Sequence, residues 1–392
     1  MPKLFTRISA TMAAAALMFT GLSGTASADP TATAPDDLTA TVTKEMLATS
    51  ATVRPDLTMT ANADSTQITV TKEADDWAFG TAVITTPQGG DAYPEGRLFL
   101  AKYDAGQWNV SFDGTADFAS LSRDATVLTD AERASFGPDE VTVLADNRTQ
   151  MRLPYAVGAT WRMTSGPHGW SGNHHPWSSL DFAGGDERVR AMRSGTAYTM
   201  CKGWIRIIHG GGFATDYYHL WDNINVNGAS VAAGAYLGFT GTDITCGGGA
   251  NGRHVHMGLR HNNAYTALHG SNLGKWVIMN GSYAYQGSAL HGSKRVYAGG
   301  SMYNYGALGL TQGVVDGNGT SSLNKRSGPG TGYGVVGSVA DGATVTISCS
   351  ANGTTHTGRW GSTRLWNRLS DGTWVADAYL WTGSNGPARG WC

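Results

Sequence analysis

The chain has 392 residues, room for two or three domains, with 54 glycines, 13 tryptophans and only 15% charged residues. That profile excludes a helical bundle or a disordered chain and points to a turn-rich, mainly β protein. The net charge of −2 hides a division: residues 29–147 hold 20 acidic against 7 basic residues (−13), and residues 148–392 hold 10 against 19 (+9). All eleven histidines and all four cysteines lie in the basic part.

In chain order, Lys3 and Arg7, the apolar run Ala13–Leu22 and Ala26-Ser27-Ala28 read as an export signal over residues 1–28, cut after Ala28. The run is too short for a membrane span of ~20 residues, so no span is expected in the mature protein. Residues 29–66 are rich in Ala, Thr and Asp with little pattern, which predicts partial disorder. Residues 67–115 alternate better and predict a small sheet. The acidic segment 29–147 reads as a pro-region, opposite in charge to the part it precedes and expected to dock there and inhibit in cis.

From about 150 the pattern is short strands between glycine turns. Trp204–His209 and Phe213–Leu220 flank Gly210-Gly211-Gly212 as a hairpin. A glycine-rich loop, 247–252, leads into residues 253–260, where Val255, Met257 and Leu259 alternate with His254 and His256. That is a half-buried strand with two imidazoles on one face, their β-carbons ~7 Å apart at a rise of ~3.3 Å per residue. Residues 291–320 read as linker, and residues 321–392 as a separate small β domain. An even cysteine count in an exported chain predicts two disulfides, of which three connectivities are open. Sequential pairing, Cys201–Cys246 and Cys349–Cys392, keeps each bridge inside one domain. Each closes a loop worth ~4 kcal/mol in the chain-entropy model.

A hydrolytic zinc site needs three protein ligands and an open position for water. His256 is one candidate ligand. Residues 166–181 offer His168, His174, His175 and Asp181, with Pro167 restricting the backbone before His168. His219, read as facing the same side of its strand as Thr215 and Tyr217, is a third element.

A histidine followed thirteen residues later by the Asp of Ser178-Ser179-Leu180-Asp181, then Tyr217-Tyr218-His219-Leu220, then Gly252-Arg253-His254-Val255-His256-Met257, resembles the lysostaphin-type zinc peptidases, family M23. Most of that family opens with His-x-x-x-Asp. Here Trp177 stands where that histidine would be, and the longer spacing is similar to the β-lytic branch. The resemblance covers residues 150–290 and implies an antiparallel-sheet peptidase core over 148–290. It implies one Zn²⁺ per chain on His168, Asp181 and His256, with His174 or His175 as the alternative first ligand. It further implies His254 as general base, His219 facing the scissile carbonyl, and Tyr285 on the oxyanion with Tyr283 as the alternative. Cys201 and Cys246 fall where that branch carries a disulfide.

The stretch Leu323 to Tyr333 (Leu-Asn-Lys-Arg-Ser-Gly-Pro-Gly-Thr-Gly-Tyr) with Trp374-Val375 resembles bacterial SH3 (SH3b) domains, small β-barrels that hold hydrolases on cell walls. Lys325 departs from that pattern, which more often has an apolar residue there. Together the resemblances imply a secreted, wall-associated, monomeric zinc endopeptidase acting on bacterial peptidoglycan cross-links at glycine-containing bonds, without a nucleic-acid partner. The other readings are a muramoyl-L-alanine amidase or D-Ala-Xaa endopeptidase, and a non-catalytic wall-binding regulator.

Overall fold

The computed structural model describes residues 37–54, 57, 61–136 and 148–392. The expected export signal, and the junction before residue 148, lie outside the described residues. Strands dominate, and every strand pairing within the sheets is antiparallel. Among the described residues no helix is long and apolar enough to cross a membrane.

The acidic part builds a four-stranded meander, Thr66–Ala74, Trp77–Ile84, Glu95–Asp104 and Gln107–Phe112. Where disorder was expected, residues Leu38–Val53 form a helix. Asp37 caps it by accepting from the Thr39 amide at 2.9 Å, and Val42 and Met46, one turn apart, are fully buried against the sheet. The second strand is buried on both faces, which explains an apolar run interrupted only by Thr81. Ala78, Ala82 and Ile84 face the helix, while Trp77, Phe79 and Val83 face the basic part of the chain.

That basic part centres on a nine-stranded sheet. Its strand order is Asn227–Val231, Gly195–Cys201, Trp204–Ile208, Phe213–Tyr218, Val255–His261, Ser179–Ala183, Thr160–His168 and Ser301–Tyr303, with Ala264–Tyr265 paired beside Val255–His261. One face carries Val255, Met257, Leu259, Leu180, Phe182 and Tyr217 into the main core. The other carries Tyr198, Met200, Trp204, Ala214 and Tyr218, which join Phe79, Leu98, Leu100 and Phe136 of the acidic part in a shared cluster. Although opposite charge was the expected basis of docking, apolar and aromatic side chains build most of this contact. The buried Arg206 also crosses it, donating to the Gly96 carbonyl at 2.9 Å.

Both disulfides join the sequential pairs, Cys201–Cys246 and Cys349–Cys392. The stretch expected as linker is built into folded structure instead. Ser301–Tyr303 extends the nine-stranded sheet, Lys294–Tyr297 completes a four-stranded sheet with Asn272–Leu273, Trp276–Asn280 and Gly287–His291, and Gln312–Val315 joins the C-terminal sheet. The sparse apolar residues Leu308 and Val314 anchor it, packing with Val277, Leu290 and Trp381. The C-terminal unit is a seven-stranded sheet around Val315, Ile347, Leu369, Val375 and Leu380.

Candidate metal centre and cleft

The central strand places its histidines by simple alternation. Val255, Met257 and Leu259 are buried in the main core, so His256 and Arg260 take the opposite face. Gly258 lies between them in sequence because a Cβ there would stand 2.9 Å from the Trp170 ring. Asp181 sits opposite His256 in the neighbouring strand, and His168 ends the strand beyond.

These three side chains converge. His256 Nδ1 is 3.0 Å from Asp181 Oδ1 and 3.2 Å from His168 Nε2, and His168 Nε2 is 3.6 Å from Asp181 Oδ1. All three are buried, and they are the group of metal-ligating side chains found among the described residues. A tetrahedral zinc ion with bonds of ~2.0–2.1 Å holds its ligand atoms about 3.3 Å apart, so two imidazoles and a carboxylate at these separations fit zinc. His174 and His175 are exposed; His175 stacks on Trp177, and neither joins the cluster.

The backbone sets the histidine tautomers. Nδ1 of His168 donates to the Gly166 carbonyl at 2.8 Å, Nδ1 of His254 to Gly252 at 2.8 Å, and Nδ1 of His219 to Asp243 at 2.9 Å. A carbonyl only accepts, so Nδ1 is the donor in each ring and Nε2 is the atom that can present a lone pair. The spacing of the histidines does not reveal these three carbonyls, since no side-chain pattern marks them. His256 differs: its Nδ1 faces the cluster, its buried Nε2 has no hydrogen-bond partner, and its ring centroid is 4.8 Å from that of Tyr93 and 4.9 Å from that of Trp170.

His219 corrects the alternation argument. The strand ends at Tyr218, and His219 has a φ of 68°. Continued extension would have pointed it with Thr215 and Tyr217 toward the main core. The left-handed turn instead swings it onto the Tyr218 side, where its ring lies 4.4 Å from Tyr218 and 4.8 Å from His254. Tyr285 stacks on His168 at 4.3 Å, held by reciprocal backbone bonds with Gly166 and Pro167, whereas Tyr283 is 71% exposed.

Electrostatics follow from burial and crowding. Burial pushes the Asp181 carboxyl up, but His168, His254 and His256 outweigh that and hold it well below the usual carboxylate range. Burial lowers His168 to about 4, partly opposed by Asp181. Burial, with His254 and His256 adding to it, lowers His219 to about 3. Neutral imidazoles beside an ionised carboxylate are the protonation states a metal requires of its ligands. Asp181, His254 and Tyr285 line a cleft in which about 620 Å³ remains beside residues Gly89, Asp91 and Tyr93, which wall it from the acidic part.

No family model matches the chain. The chain is 31% identical over 173 residues to the protease LasA of Pseudomonas aeruginosa, a match covering 41% of each protein. It is 30% identical over 140 residues to the β-lytic metalloendopeptidase of Lysobacter enzymogenes, covering 33% of this chain and 78% of that one. Among solved structures, the deep-sea M23 metalloprotease pseudoalterin aligns at 30% identity with a TM-score of 0.37, covering 39% of this chain and 97% of its own. A buried His-Asp-His group with His254 and His219 beside it is a ligand set of the kind a metallopeptidase uses. The chain belongs to the M23 metallopeptidases of the LasA and β-lytic type. It spans less than half the length of LasA.

Proposed function

We propose that the protein is a secreted zinc endopeptidase that hydrolyses peptide cross-links of bacterial peptidoglycan, at bonds containing glycine. The observation that carries this reading is the triangle of His168 Nε2, Asp181 Oδ1 and His256 Nδ1, with sides of 3.0, 3.2 and 3.6 Å. Zinc held there would lower the pKa of a water toward ~7 and polarise the scissile carbonyl.

The remaining work falls to side chains around the triangle. His254 Nε2, 3.8 Å from Asp181 Oδ1, takes the proton of the attacking water. His219 presents a second Nε2 to the same space, and the proton that His254 removes from the water returns, from His254 or by way of His219, to the nitrogen of the departing amine. Tyr285, which lines the same cleft as Asp181 and His254, stabilises the developing oxyanion through its hydroxyl. The formal +9 of residues 148–392 suits a polyanionic wall. In this reading residues 29–147 are a pro-region that keeps the enzyme latent, and residues 321–392 are an SH3b-type module that holds it on the wall.

Mass spectrometry of muropeptides released by the matured protein, with and without chelator, tests the reading. Chelator-sensitive scission within the cross-bridge is the expected result. Release of intact stem peptides from muramic acid would replace it with the amidase reading, and no release from any wall would leave only a binding role.

A further inference from the structure

Residues 85–94 connect two strands that are direct neighbours, since Ile84 pairs with Glu95. Hairpins between such strands close with two to five residues. This connection is far longer, and its excess length leaves the acidic sheet to run through the cleft just described. Thr86 N–H donates to the Cys246 carbonyl at 3.0 Å and Gly89 N–H to Gly248 at 2.8 Å, and Gln88 forms a parallel bridge with Gly248. Gly248 N–H returns a bond to Thr86 Oγ1 at 3.1 Å. The approach is so close that a Cβ on Gly247 would lie 2.1 Å from Thr86 Oγ1, and one on Gly248 would lie 2.5 Å from the Tyr93 ring. The glycine-rich loop before the central strand is thus a seat for an extended peptide.

Tyr93 completes the contact. Its amide donates to Ser171 Oγ at 3.0 Å, and its hydroxyl, with one proton for two acceptors, lies 2.7 Å from the Gly249 carbonyl and within reach of His219. The same hydroxyl is 3.1 Å from His219 Nε2, the atom left free for chemistry, and His219 is fully buried. The Tyr93 ring stands edge-on to His256 at 4.8 Å and to His219 at 5.4 Å. Asp91 lines the cleft beside Asp181, His254 and Tyr285.

We propose that residues 86–93 are an intramolecular occupant of the cleft: the segment lies along Gly247–Gly249 as an extended peptide, and Tyr93 caps His219 Nε2 and covers His256. The full chain is latent because of this segment, and withdrawing it leaves the same main-chain seat to a substrate peptide. The inference rests on the peptidase reading for its consequence, but the occupancy can be tested without it.

The test is the rate at which diethyl pyrocarbonate carbethoxylates His219 in the metal-free full chain, followed by peptide mass spectrometry with the exposed His174 as internal reference. Tyr93→Ala should raise the His219 rate at least tenfold and leave His174 unchanged. Gly89→Pro removes the bond to Gly248 and cannot adopt the φ of 78° found there, so it lifts the segment independently and should raise the rate severalfold. His219 rates equal to wild type in whichever of these variants fold would overturn the proposal. Hydrolysis of a short glycine peptide by the zinc-loaded variants is scored separately. Faster His219 modification without hydrolysis upholds the occupant and removes the peptidase reading.

Discussion

Asp181 and His256 lie directly opposite each other on adjacent antiparallel strands, and Oδ1 of one is 3.0 Å from Nδ1 of the other. Strand register therefore determines the ligand pair, because a slip of one residue would set Val255 against the carboxylate. The core side chains Val255, Met257 and Leu259 forbid that slip by holding their face inward.

The first prediction follows from this pairing. His256→Ala and Asp181→Ala should each abolish binding of the single zinc ion and all hydrolysis. His254→Ala should keep the zinc and lose most activity, since its Nε2 flanks the triangle without belonging to it. Metal analysis and peptide hydrolysis on the same samples check this, and metal loss in His254→Ala alone would reverse the two roles.

Tyr285 and Tyr283 are separable. Tyr285→Phe keeps the ring that stacks on His168 and removes only the hydroxyl, so the matured enzyme should lose about 10²-fold in kcat, the scale of one oxyanion donor, with KM and zinc content unchanged. Tyr283→Phe should change nothing measurable. Steady-state kinetics on a soluble glycine peptide distinguish the two residues.

Arg206 offers a stability test. It is fully buried, and Asp216 holds it through two bonds of 2.8 and 3.1 Å while also accepting from Trp204 and Tyr265. Asp216→Ala leaves the buried guanidinium with only the longer Asp113 contact at 3.9 Å and should cost about 3–5 kcal/mol in denaturant unfolding. A loss under about 1 kcal/mol would mean that water or a shifted acid replaces the carboxylate.

Asp377 gives a pH signature. Burial raises its carboxyl from 3.8 to about 6, against a bond from Asn367 that works the other way. The folded state therefore binds this proton more tightly than the unfolded state does. The associated stability is fully present below about 3.8 and is lost as pH rises through about 6. Asp377→Asn, which can still accept from Asn367, should stabilise the protein by roughly 2–3 kcal/mol at pH 7.5 and by little at pH 3.5. Denaturant melts at the two pH values decide it, and a gain that does not vary with pH would exclude this cause.

The histidine pair of the central strand is legible in the sequence because period-two alternation and a buried underside leave it one face to occupy. The sequential disulfides are legible for a similar reason, each closing within one unit. His219 is legible as a residue but not as a geometry, since one left-handed φ at the strand end reverses its direction. The helix Leu38–Val53 escapes notice because its buried stripe is only Val42 and Met46 in an Ala/Thr background. Tyr93 carries no motif, and its partners in the glycine loop lie about 155 residues away, with 156 between Tyr93 and Gly249. The length of the connection between two well-patterned strands was the available signal.

The cluster shared by the acidic unit and the peptidase sheet has a consequence for where the enzyme ends up. If maturation removes the acidic unit, Phe79, Leu98 and Leu100 leave with it, and Tyr198, Met200, Trp204 and Tyr218 are left facing water. A contiguous aromatic patch of that kind adsorbs to whatever surface is nearest. On that condition, loss of the acidic unit and exposure of an adhesive face are one event.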